Sequence, residues 1–289
     1  MMANWFILLS PKTISIIRIL CGLIAAIHFL LLLASGTTWL GPQGWLNVES
    51  GRFLIGESVP GTGSFYRWSI LFWYPEAIPW VASAGLLASL AAIAGLGSRV
   101  STFIVWFCLS TFHHRAPLLT LLHEPLLVAM FAYLTIDPGR NSWSRPGFSS
   151  GTDRITANVA TRLIFCHLWI WIAFSLASML ATPLWWNGDA GSLLLQQGRG
   201  WLHLPQAWQW ASQLLTHLTI ATQIAVLCCM LRTDWSWLSR WMLYLFVICV
   251  LLLLGDWMYA SVLLAASLCL TSNHSLPKIH HGASNSANI

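Results

Sequence analysis

Long apolar blocks separated by short polar segments dominate the chain. A hydrocarbon core about 30 Å thick takes roughly 20 helical residues to cross. That length fits residues 14–33, 78–96, 100–112 with its flanks, 117–136, 157–180 and 207–231. A last stretch, 237–270, is too long for one crossing and divides at Gly255-Asp256. The pattern predicts an all-α, polytopic helical membrane bundle of about eight spans within residues 1–271. The polar segment 272–289 is expected to be a disordered tail. Lys12 and Arg18 precede an apolar run that outlasts a signal-peptide core, so it is expected to be a retained first span.

Charge placement then suggests sidedness. An even number of spans puts both termini on one side. With the N-terminus inside, that side receives Lys12, Arg18, Arg99, Arg140, Arg145, Arg154, Arg232, Arg240 and Lys278, with Arg162 just within its span. The outer side receives Arg52, Arg67, Arg115 and Arg199. Positively charged residues collect on the cytoplasmic side, so the expected orientation is N-in, C-in. Two long outer segments, 34–77 and 181–206, are rich in aromatic residues and suit either an interfacial position over the bundle mouth or plain connection.

Composition agrees with the pattern and excludes several function classes. Residues are 57% hydrophobic and only 8% charged, where a soluble domain carries about a quarter. Nineteen Trp residues suit the headgroup level, where an indole has one wet edge and one apolar face. The net charge of +5 is spread singly and forms no basic stripe for nucleic acid. Seven cysteines lie in apolar stretches without a CxxC pair, which indicates small core residues and no disulfide framework or thiolate zinc site. Nucleotide-binding, zinc-protease and serine-hydrolase motifs are absent.

The chemistry is expected where ionisable residues persist inside apolar spans, because burying them there is costly. His28 lies in the first span. His113, His114 and Arg115 end the third, His123 and Glu124 enter the fourth, His217 sits within the sixth, and Asp256 marks the last turn. Together they suggest one polar chamber open to the outer side. Imidazole titrates near neutrality, so proton transfer is the chemistry to expect, with Glu124, His114 and His123 as the acid–base candidates. His28, His113, Arg115, His217 and Asp256 would line the chamber. In the alternative reading, Arg115, His114 and Glu124 form a structural ion pair, and His28 and His217 are hydrogen-bonded packing residues. No ligand spacing selects a metal site, including a tri-histidine set from His113, His123 and His217. Thr216, Thr219, Thr222 and Gln223 are expected to tie helices together, and the small residues between Ser83 and Gly95 to allow close helix approach.

Several short motifs occur in a definite order: Arg18-Ile19-Leu20-Cys21-Gly22-Leu23, the turn Gly95-Leu96-Gly97-Ser98-Arg99, the STFHHR segment ending at Arg115, and His123-Glu124. Asp137-Pro138-Gly139, Arg162-Leu163 and Trp185-Trp186-Asn187-Gly188 follow. This order resembles the HTTM family, the membrane domain related to vitamin K-dependent gamma-carboxylase, over most of the chain. The resemblance implies a bacterial-type plasma-membrane protein with a cavity open to a lipid or quinone. One branch of the family serves maturation or export of a small secreted peptide. The family's base is a lysine shortly before the WxxG motif, and that position falls at or near Met179. Methionine accepts no proton, so carboxylase or epoxidase activity is not expected. Two functions follow from the resemblance: a cavity that binds or modifies a lipid, quinone or peptide, or a non-catalytic accessory role for a secreted peptide.

Overall fold

Where water is excluded, a chain must satisfy its backbone polar groups internally, and helices do so within each segment. The structure is a computed structural model that describes residues 11–54, 69–115, 122–136, 151–196, 209–232 and 235–270; among them there is helix and no strand. The elements are α1 (Pro11–Leu40), α2 (Val48–Leu54), α3 (Ile78–Ala94), α4 (Ser98–Arg115), α5 (His123–Leu134) and α6 (Gly151–Leu180). They continue with α7 (Pro183–Trp186), α8 (Asp189–Gln196), α9 (Gln209–Met230), α10 (Ser236–Leu254) and α11 (Trp257–Ser267).

Among the described residues, five helical segments are long and apolar enough to cross a membrane: Thr13–Leu40, Pro75–Ala94, Ile155–Leu180, Gln209–Met230 and Trp237–Leu254. Trp257–Leu270 is apolar but shorter. The expected third and fourth spans do not join the five. In α4, eighteen residues include Arg99, His113, His114 and Arg115, and α5 has only twelve. The start of the expected fourth span, at 117–121, lies outside the described residues. So do the Asp137-Pro138-Gly139 motif, Arg67, Arg140, Arg145, Arg199, and the tail with Lys278, His280 and His281. The first helix extends beyond its predicted end at residue 33, to Leu40.

Each long helix shows one face to the bundle. On α1, Ile17, Cys21, Ile24 and His28 follow the three-to-four-residue helical spacing and are buried, while Leu20, Leu23, Ile27 and Leu31 point outward. His28 therefore lies on the inner stripe. The small residues of α3 permit the close approach that the sequence predicts: a Cβ at Gly85 would overlap the Phe29 ring, and one at Gly22 of α1 would sit 2.7 Å from Ile93 Cγ1. Gly85→Val should force α1 and α3 apart at a cost of about 1–3 kcal/mol. A lowered thermal midpoint of the purified protein would register it; an unchanged midpoint would refute the contact.

The long apolar stretch breaks at the predicted place. Gly255 ends α10 at φ 65°, a left-handed conformation suited to glycine, and its N–H donates to the Leu251 carbonyl. Asp256 then caps α11, accepting from the Tyr259 N–H at 2.9 Å. All seven cysteines are free, and five of them are buried as small core residues; Cys228 is exposed and Cys166 half-buried.

The candidate polar site and its neighbouring cavity

Three helices bring ionisable groups together. His28 comes from the inner stripe of α1. His123 and Glu124 open α5, where Pro125 is tolerated because first-turn N–H groups have no intrahelical acceptor. Glu124 also gains from the positive end of the helix dipole. Asp256 is set by its capping bond at the start of α11.

The geometry is close. His28 Nδ1 and His123 Nε2 lie 3.3 Å apart, with the rings nearly perpendicular at 78°. On the opposite edge of its ring, His123 Nδ1 faces Asp256 Oδ2 at 3.8 Å. His113, near the end of α4, points Nδ1 at Glu124 Oε2 from 4.0 Å, and the His114 ring lies beside that of His113 with centroids 5.4 Å apart. His28 and His123 are buried, while Glu124 and Asp256 are only partly accessible. Asp256 lies in the break between α10 and α11. Burial acts to raise its carboxyl, but the facing His123 and the Tyr259 N–H outweigh this and hold it below the ordinary carboxylate value. Proton relay and ion binding are both within reach of such a group.

Two of the predicted chamber residues are placed elsewhere. His217 does not join the group: its Nδ1 pairs with the Gln213 carbonyl at 2.8 Å and its Nε2 with the Trp186 carbonyl at 3.1 Å. It fastens α9 to the end of α7, against Gly188, whose φ of 80° makes the turn. Arg115 is fully buried, and its guanidinium turns into the segment after α1. It donates to the Leu46 carbonyl at 2.7 Å and reaches the Leu40 carbonyl at 3.5 Å, with the Phe72 ring centroid 4.9 Å away. Gly51 packs directly on its Nη1. This segment thus folds over the end of α4. Among the threonines, Thr216 accepts from the Gly191 N–H at 2.9 Å and so ties α8 to α9, and Gln223 Nε2 donates to Ser175 Oγ of α6 at 3.3 Å.

A cavity of about 450 Å³ lies next to the polar group, between α6, α9, α10 and α11. Leu122, which precedes His123, and Tyr259, whose N–H binds Asp256, both belong to its wall. The wall is mainly apolar and includes Met179. Hydroxyl groups come from Ser175, Ser178, Thr219 and Tyr259, the last accepting from Trp171 Nε1 at 2.9 Å. The volume falls in the range of small-molecule sites. No cavity is expected here from the sequence alone. The spacing Trp171, Ser175, Ser178, one face of a helix at i, i+4, i+7, was the available signal. The pair formed by Tyr133 and His167, at 3.2 Å with the His167 ring stacked on Trp171, was also missed.

No family model, no curated protein and no solved structure matches the chain.

Proposed function

We propose that the chain is an HTTM-like multi-pass protein of a plasma membrane, the inner membrane of a bacterium, whose cavity takes up a lipid or quinone. The observation that carries this reading is the apolar cavity of about 450 Å³ set between apolar helices, whose wall includes Leu122, next to His123 in the chain, and Tyr259, whose N–H binds Asp256. An amphiphile would place its apolar part against Phe174, Phe246 and Leu253, and its polar part toward Ser175, Thr219 and Tyr259. Met179 in the wall leaves out the lysine of carboxylase and epoxidase chemistry, so neither activity is proposed.

Eight crossings follow in this reading if α4, α5 and Trp257–Leu270 complete the five longer segments. The Lys and Arg distribution then favours both termini in the cytoplasm. Reporter fusions at the two ends should both read cytoplasmic; opposite sides would mean an odd number of crossings.

Extraction of the detergent-purified protein followed by mass spectrometry tests the ligand. The expected result is one prenylated quinone or other single lipid, near stoichiometric and depleted from other membrane proteins of the same preparation. Bulk membrane lipid alone would refute it. A small secreted peptide that co-purifies in place of a lipid would favour the accessory role instead.

A further inference from the structure

We propose that His28, His123 and Glu124 form a binding site for a divalent transition-metal ion of the zinc class. One ligand atom from each of the three lies within 4.8 Å of the others. Zinc is bound by imidazole nitrogen at about 2.0–2.1 Å, so two nitrogens on one tetrahedral ion sit roughly 3.3 Å apart. His28 Nδ1 and His123 Nε2 are 3.3 Å apart. A single hydrogen bond between the rings would give the same distance, so the two nitrogens alone decide nothing.

The surroundings favour the ion. A metal-bound histidine commonly directs its second ring nitrogen to a carboxylate, which fixes the tautomer and leaves the other nitrogen free to coordinate. His123 is placed for this: its buried Nδ1 faces Asp256 Oδ2 from 3.8 Å, somewhat beyond hydrogen-bond length. The Asp256 side chain is held independently by the Tyr259 N–H, so it is in place to orient His123. Glu124 supplies the third ligand from the first turn of α5, with His113 Nδ1 4.0 Å from its carboxylate. The carboxylates of Glu124, in the ligand group, and Asp256, facing His123, would together offset the charge of a dication. The donors are nitrogen and oxygen without thiolate. That set suits zinc and its first-row neighbours better than copper(I), which prefers sulfur, or magnesium and calcium, which prefer all-oxygen shells. Sequence spacing could not reveal the site, because its three ligands come from α1 and α5, almost a hundred residues apart.

The metal site and the cavity ligand are separate claims, and either can fail without the other. The test uses the full chain purified in detergent without a polyhistidine tag. Bound metal is counted by elemental mass spectrometry, and the chelator-stripped protein is titrated with cobalt(II) while its visible absorption is followed. About one ion per chain and a tetrahedral cobalt spectrum are expected. Glu124→Gln and His123→Asn should each weaken cobalt binding tenfold or more. Asp256→Asn, which touches no metal, should weaken it by about 10- to 100-fold through His123. His217→Ala and the double variant His280→Ala/His281→Ala should leave it intact. If His123→Asn does not elute as a folded protein, Glu124→Gln and Asp256→Asn carry the test. The proposal is overturned if the stripped wild type gives no cobalt spectrum, if the ion survives in Glu124→Gln and Asp256→Asn, or if it is lost in the tail variant.

Discussion

Arg115→Ala is expected to lower the thermal unfolding midpoint more than Gly85→Val or Ser175→Ala. Arg115 is the largest fully buried side chain among the described residues, and it stands at the end of α4, where a cation suits the helix dipole. Its guanidinium fastens the carbonyls of Leu40 and Leu46 and covers the Phe72 ring. Removing it strips a charged donor from buried carbonyls and leaves a hole between α4 and the segment after α1. Hydrogen bonds to charged groups contribute about 1.5–3 kcal/mol, and the lost packing adds to that, for roughly 3 kcal/mol or more. Arg115→Met should recover the packing and not the hydrogen bonds. Arg115→Lys should recover little, because an ammonium lacks the planar fork that reaches two carbonyls and lies over a ring. Tryptophan fluorescence during heating in detergent ranks the three. A midpoint for Arg115→Ala within about a degree of wild type would show that the segment is not held this way. Because His113 lies two residues before Arg115, the alanine variant should also disturb the approach of His113 to Glu124.

Arg115 also shows where sequence reading stops. Its spacing from Glu124 suggests an ion pair across one hairpin, yet the bonds that bury it run to carbonyls about seventy residues earlier. Backbone carbonyls carry no side-chain signal, so no local pattern announces them. The legible features are those set within one element. The inner stripe of α1 follows from helical periodicity and places His28 inward; the break at Gly255-Asp256 follows from a left-handed glycine beside a capping carboxylate. His217 was misplaced for the same reason that Arg115 was. Periodicity gives the face of α9 on which it lies but not the neighbour, and the neighbour is the Trp186 carbonyl rather than His123. Eight spans are expected from apolar length read through the polar ends of α4 and across the residues before α5, whereas five of the described segments are long and apolar enough to cross a membrane. His28, His113, His114, His123, Glu124 and Asp256 were legible as a set, since a charge retained in an apolar block stands out whatever its partner. The cavity was not legible, because a gap between four helices is a property of packing rather than of any one of them.

Filling that cavity is the second large effect, and it separates the ligand from the fold. Ser175 lies on α6 at the cavity wall, with its hydroxyl accepting from Gln223 Nε2. Ser175→Trp would place an indole in a space of about 450 Å³ and should cut the co-purifying lipid or quinone tenfold or more. The energetic cost to the fold is small compared with that of Arg115→Ala, because the added ring enters a void instead of an already packed core. The loss of the Gln223 hydrogen bond is a separate cost of about 1 kcal/mol, and Ser175→Ala isolates it. The alanine variant keeps the space open, so its lipid content should stay near wild type while its midpoint falls slightly. Cobalt binding at His28, His123 and Glu124 should survive both substitutions, since Ser175 contributes nothing to that group. Equal lipid content in Ser175→Trp and wild type would place the ligand outside this cavity. Equal loss in Ser175→Trp and Ser175→Ala would mean that the hydroxyl, and not the space, governs occupancy.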